Sequence, residues 1–125
     1  MKKNVVIVDY GHGNLYSINQ ACIQVGYNPI ISSSQSEIAN ADTLILPGVG
    51  AFKVAMEELM NKNLIEPIFE FVQKGNYLMG VCLGMQLLFD SSDEFGNNKG
   101  LGLVQGTVER FPSVINDKKI RVPHI

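Results

Sequence analysis

The stretch Tyr77-Leu78-Met79-Gly80-Val81-Cys82-Leu83-Gly84-Met85-Gln86 most narrows what this chain can fold into. An apolar run suited to a strand breaks at a glycine, presents one cysteine, and passes at once into a run suited to a helix. A strand turns that sharply into a helix only where the flanking residues are small, and Gly80 and Gly84 stand two before and two after the cysteine. Gly-x-Cys-x-Gly is the nucleophile-elbow pattern, with cysteine where hydrolases of the α/β class carry serine. Cys82 is expected at the first turn of a helix, where unpaired N–H groups and the dipole favour the thiolate. The same N–H groups can receive a developing oxyanion. The elbow therefore predicts acyl transfer through a thioester at Cys82. A cysteine at a tight turn can equally be a small buried filler, and it is the strand before it and the glutamine-bearing helix after it that favour chemistry.

The rest of the chain alternates in the way such an elbow needs. Val5-Val6-Ile7-Val8 is a continuous β-branched run, the pattern of a strand buried on both faces. Asp9-Tyr10-Gly11-His12-Gly13-Asn14 is a glycine-rich loop at its carboxyl end, and Leu15, Ile18, Cys22 and Val25 then recur at helical spacing until Gly26. Asn28 to Ser32 reads as a second strand followed by a brief polar segment. Thr43 to Leu46 is a third, ending in Pro47-Gly48-Val49-Gly50. Phe52, Met56 and Leu59 mark a helix, and Ile65 to Val72 another, with Pro67 tolerated in its first turn. Tyr77 to Val81 is the fourth strand, and Leu83 to Phe89 a helix apolar nearly all round, hence expected to be central and covered.

From Gly96 onward the texture changes. Thr107 to Phe111 alternates like a half-exposed strand, and Asn116-Asp117 suits a hairpin turn leading into Lys119 to Val122. The expected architecture is α/β, a doubly wound and mostly parallel sheet with a C-terminal antiparallel β segment. Ligands of such sheets gather at the carboxyl ends of the strands. Loops 9–14 and 47–51 and the elbow at Cys82 all fall there, so one common site is the leading expectation.

Within that site Gly48, Val49 and Gly50 can bring backbone N–H groups close to a ligand and complete an oxyanion hole with the N–H of Leu83. As pure structure the same residues would simply end a strand. Gln86 lies one helical turn beyond Cys82, on the same face. Its neighbours are apolar, so its amide needs a partner, and a polar substrate is one. Asp9 reads as a loop-stabilising acceptor and His12, between glycines, as an exposed residue rather than a catalytic base. Asp90, Asp93 and Glu94 read as a solvated helix end. His124 follows Pro123 with no acidic partner in view.

Composition excludes several classes. Apolar residues make up 46% and charged residues 18% of 125, with a net charge of −2 and no basic cluster longer than a pair. That pattern offers no nucleic-acid or anionic-membrane surface. No apolar stretch approaches the roughly 20 residues that span a bilayer, and Asp9 interrupts the first apolar run too early for a signal peptide. A cytoplasmic location is expected. Cys22, on the apolar face of the first helix, reads as a structural thiol, and a disulfide to Cys82 is disfavoured in a reducing compartment. There is no metal-ligand spacing, and the chemistry calls for no cofactor.

With these residues in place, the chain resembles the class I, triad-type glutamine amidotransferases, whose flavodoxin-like fold the resemblance implies. Within that class it is most similar to the glutaminase subunits of imidazole glycerol phosphate synthases. The segments Asp9 to Asn14, Pro47 to Phe52, Gly80 to Ser91 and Val122-Pro123-His124 carry the resemblance. It implies that Cys82 attacks the side-chain amide of glutamine, that Gly48, Val49 and Gly50 line an oxyanion strand, and that Gln86 holds the substrate. It further implies a heterodimer with a (β/α)8-barrel cyclase subunit that uses the ammonia to make imidazole glycerol phosphate in histidine biosynthesis. Asn14, Pro123 and His124 resemble segments near that interface.

Members of the family carry the catalytic histidine and glutamate in a downstream His-Pro-Glu motif, which these 125 residues lack. The expectation is therefore one amidotransferase domain over 1–125, truncated before the His-Pro-Glu part, incomplete and with little glutaminase activity alone. The alternatives are a non-catalytic docking module and an amidotransferase subunit serving another synthase.

Overall fold

The structure, a computed structural model, describes residues 4–122. The unbroken apolar runs form its central strands. β1 (Val5–Val8) pairs in parallel with β2 (Pro29–Ser32) on one side and β3 (Thr43–Leu46) on the other, and β3 pairs in parallel with β4 (Tyr77–Gly80). The strand order is β2-β1-β3-β4. Successive strand residues point to opposite faces, and each face has its own cover. Val5, Ile7 and Ile45 meet Leu15, Ile18 and Cys22 of α1 (Leu15–Gln24). Val6, Val8, Leu44 and Leu46 face the larger core. That core includes Ile38 of α2 (Gln35–Ala39), Phe52 and Leu59 of α3 (Phe52–Asn61), Phe71 of α4 (Ile65–Gln73) and Leu87 of α5 (Leu83–Leu87). Burying each such side chain contributes about 1.5–3 kcal/mol. Helices on both faces of a parallel sheet make the fold doubly wound, as the alternation of elements predicts.

The chain leaves β1 toward one face and β3 toward the other. These neighbouring strands flank the crevice where such sheets bind ligands. The loops after β1, β3 and β4 are thereby brought to one end of the sheet.

Several local expectations are corrected. The polar segment after β2 is the helix α2, whose N-cap Ser34 accepts a hydrogen bond from Glu37 N at 3.4 Å. Ser34-Gln35-Ser36-Glu37 is a capping-box spacing, so the signal was present. The helix after the elbow is shorter than its apolar run. α5 stops at Leu87, and Phe89–Ser92 is a strand, β5. Residues 101–104 return alongside and take the carbonyls there, Leu101 N donating to Leu87 O and Val104 N to Leu88 O, at 2.8 and 2.9 Å. Nor is α5 covered all round, since Met85 is exposed. β4 is an edge strand among the described residues, with Tyr77 84% and Met79 59% exposed.

The C-terminal part is built on β5. β6 (Asn98–Lys99) joins it antiparallel, whereas β7 (Val104–Val108) joins it in parallel. β7 therefore begins three residues before the strand expected from Thr107. β8 (Val114–Ile115) and β9 (Lys118–Lys119) form an antiparallel hairpin. Asn116 and Asp117 turn it with φ of 50° and 63°, the left-handed pair that a tight hairpin requires.

Candidate active site

Cys82 occupies the turn between β4 and α5, with φ 55° and ψ −122°. This is a costly conformation for a residue with a side chain, about 1–3 kcal/mol, and persists only where the surroundings dictate it. They do so here. Val81 N donates to Leu46 O at 2.9 Å, tying the elbow to the end of β3. A Cβ on Gly84 would collide with Leu46 O, and one on Gly80 would lie 2.6 Å from Met85 Cα. Both glycines are thus required by close backbone approach, and the cysteine between them is pushed out to solvent as an exposed free thiol. The first N–H of α5, that of Leu83, has no partner within the helix and lies beside the thiol's backbone. α5 is only five residues long, so local N–H groups rather than a long dipole shape the field there.

The loop after β3 packs on this elbow. Gly48 is buried, and a Cβ on it would meet Gly84 N at 2.8 Å and the Tyr10 hydroxyl at 2.7 Å. Val49 and Gly50 are exposed, Gly50 with φ 98°. The loop therefore packs closely on the elbow at Gly84, two residues after Cys82. Gln86 lies one turn along α5 and is half-buried.

The loop after β1 supplies side chains that the sequence reading undervalued. Tyr10 is fully buried, and its hydroxyl donates to Pro47 O at 2.6 Å. Burial pushes the phenol's pKa above the usual tyrosine range, so it stays a donor. His12, expected to be exposed, is half-buried. Its ring stacks on Tyr10 with centroids 5.4 Å apart, and Nδ1 lies 3.3 Å from Val49 O. Asp9 accepts from Gly11 N at 3.4 Å, the loop-stabilising role expected of it. Asn14 caps α1 by accepting from Ser17 N at 3.2 Å. Pro123 and His124 lie outside the described residues.

The acidic residues after α5 are corrected too. Asp90 accepts from Gly106 N at 2.9 Å and so fastens β7. Glu94 accepts from Phe52 N at 3.1 Å, capping the helix that follows the Pro47–Ala51 loop. Neither belongs to a helix end, because α5 stops sooner. An acidic side chain beyond a short helix is ambiguous in sequence, since its partners are 16 and 42 residues away.

Cys22 is half-buried under α1 with a free thiol whose pKa burial raises. No side chain among the described residues hydrogen-bonds the Cys82 thiol, and none of them gather as three or more potential metal ligands. No helix among them is long and apolar enough to cross a membrane.

Known proteins resemble this chain in sequence and in fold. The glutamine amidotransferase class-I family matches residues 6–123. The chain is 42% identical to the imidazole glycerol phosphate synthase subunit HisH of Syntrophotalea carbinolica, over 97% of this chain and 60% of that protein. It is 50% identical to the same-named subunit of a Geobacillus strain, over 95% of this chain and 57% of the other. The chain thus spans somewhat under two thirds of the length of these curated relatives. Among solved structures, a glutamine amidotransferase superposes with a TM-score of 0.70 at 21% identity, covering 84% of this chain and 56% of that one. A putative peptidase E from Listeria monocytogenes gives 0.63 at 15% identity, covering 82% and 63%. At such identities these two likenesses speak for the fold alone. The strained cysteine elbow, the glycine loop packed on it and the match over nearly the whole chain agree: this chain belongs to the class-I glutamine amidotransferases.

Proposed function

We propose that this chain is the nucleophile-bearing part of a glutaminase that releases ammonia from glutamine for a synthase. The observation that carries the reading is the strained, exposed Cys82 at the elbow, backed by the Pro47–Gly50 loop, in a chain of the amidotransferase family. The thiolate of Cys82 attacks the side-chain amide carbon of glutamine. The carbonyl oxygen becomes an oxyanion received by N–H groups of Leu83 and of the Gly48–Val49–Gly50 loop. The C–N bond then breaks, ammonia leaves with a proton from a general acid, and the glutamyl thioester is hydrolysed by water to glutamate. Gln86, half-buried one helical turn beyond Cys82, holds the substrate's polar groups.

The proton acceptor for Cys82 and the donor for ammonia are assigned to a histidine–glutamate pair outside residues 4–122. His12, the histidine among those residues, is engaged at Val49. The ammonia passes to a cyclase subunit of (β/α)8-barrel type in a cytoplasmic heterodimer that makes imidazole glycerol phosphate. The similarity to subunits of imidazole glycerol phosphate synthases supports this assignment. Asn14 at the start of α1, with Pro123 and His124, is assigned to the partner interface.

The test is labelling with a glutamine-derived electrophile, read by peptide mass, on the protein isolated from its native cells. Label on Cys82 with Cys22 spared is the expected result. Equal labelling of both thiols, or a synthase partner bound without any ammonia release, would overturn the reading. The intact mass from the same cells shows whether the histidine–glutamate pair is on the same polypeptide.

A further inference from the structure

Two side chains of the loop after β1 grip the loop after β3 in the same way. The Tyr10 hydroxyl donates to Pro47 O at 2.6 Å, and His12 Nδ1 lies 3.3 Å from Val49 O. A carbonyl oxygen only accepts, so the second contact places a proton on Nδ1 of His12. The two rings stack at an interplanar angle of 30°, so each steadies the other. The result is a two-pronged clamp on carbonyls two residues apart.

Peptide planarity turns that clamp into a statement about donors. In a trans peptide the C=O and the following N–H point in opposite directions. Holding the carbonyls of Pro47 and Val49 toward the rings turns the N–H groups of Gly48 and Gly50 away from them. It also fixes the planes on both sides of the Gly48–Val49 peptide. The prongs are not equivalent. Tyr10 is locked by burial against Gly48, whereas His12 is half-buried and holds the part of the loop, Val49 and Gly50, that is otherwise exposed.

We infer that His12 is a positioning residue: its Nδ1–H pins the Val49 carbonyl and, with Tyr10, sets the direction in which the Pro47–Gly50 loop offers its N–H groups. The inference deepens the glutaminase reading and rests on it, because the oxyanion those N–H groups serve forms at Cys82. An oxyanion exists only in the transition state and the intermediate, so a slackened clamp lowers kcat and leaves KM nearly alone.

The experiment uses the protein as its cells make it, with whatever synthase subunit copurifies, and compares His12→Phe with His12→Asn. Phenylalanine keeps the ring and its stacking on Tyr10 but loses the donor; asparagine supplies an N–H at similar reach. Loss of one aligned donor in such a site costs about 100- to 1,000-fold. Loss of a group that only aligns donors is expected to lower kcat about tenfold, with KM within about twofold, and His12→Asn to recover most of it. An unchanged kcat in His12→Phe overturns the inference, and so does a loss that asparagine fails to rescue. Failure of the glutaminase reading looks different: the unmodified protein releases no ammonia from glutamine. Hydrogen exchange at the amides of residues 48–50 then reads the clamp by itself. Faster exchange in His12→Phe supports it, and identical exchange overturns it.

Discussion

β1 and β7 are both short strands with a valine at each end, yet their surroundings are opposite. All of Val5–Val8 is buried, because β1 has strands on both sides and helices over both faces. Among the described residues Val104–Val108 pairs with β5 alone, and all but its last residue are exposed. The contrast extends to their regions. The four-stranded sheet carries the large core and, at its carboxyl end, the Cys82 elbow and the Pro47–Gly50 loop. Residues 104–122 bury no side chain fully. The strained cysteine therefore sits on the part of the molecule with the most packing behind it, where a strain of a few kcal/mol can be held.

The largest effect expected from this contrast is at Gly84. Substitution by alanine drives a Cβ into Leu46 O and to within 2.9 Å of Pro47 C, both backbone atoms that cannot swing aside. A loss of about 4 kcal/mol or more is expected in urea unfolding. Gln105→Ala on the exposed β7 is expected to stay within about 0.5 kcal/mol. Similar losses at the two positions would break the comparison.

Next come two phenylalanines. Phe71 is 0% exposed and Phe111 69% exposed. Phe71→Ala is expected to destabilise by about 3–4 kcal/mol, and Phe111→Ala by less than about 0.5 kcal/mol. Denaturant midpoints at equal slope decide it.

A smaller, pH-dependent effect belongs to Tyr10. Its folded pKa lies above the unfolded value, so the folded state keeps the proton that the unfolded chain gives up. Stability is complete below the unfolded pKa of about 10 and falls as pH rises beyond it, by up to about 1.4 kcal/mol per pH unit. Urea midpoints between pH 9 and 11 measure this slope. Tyr10→Phe should remove that share of it, and an equal slope in the variant would detach the tyrosine from the alkaline loss.

The smallest effect is in the C-terminal hairpin. Asp117 adopts φ 63° without the freedom of glycine. Asp117→Gly is expected to raise stability by about 0.5 kcal/mol, the relief of the left-handed conformation partly offset by unfolded-chain entropy. A thermal melt would show a small upward shift. A large one would mean that this hairpin governs global stability after all.

What the amino-acid order determined by itself was whatever short-range patterning can encode. A continuous β-branched run marked β1 and an apolar run marked β3, as strands buried on both faces require, and Gly80-Val81-Cys82-Leu83-Gly84 marked the elbow because only small flanking residues allow it. The turn at Asn116-Asp117 was equally legible, since those residue types tolerate positive φ. The elements that escaped depend on partners distant in sequence. The apolar run from Leu83 looks the same whether it continues as helix or stops. It stops at Leu87 because residues 101–104 return to occupy its carbonyls. The strand from Tyr77 was legible, but the exposure of Tyr77 and Met79 was not, because it follows from β4 being an edge among the described residues. Likewise the roles of Tyr10, His12 and Glu94 lie in hydrogen bonds that span 37 to 42 residues. Local sequence sets which backbone conformations are cheap, but a hydrogen bond between loops exists only once the sheet has brought those loops to the same end.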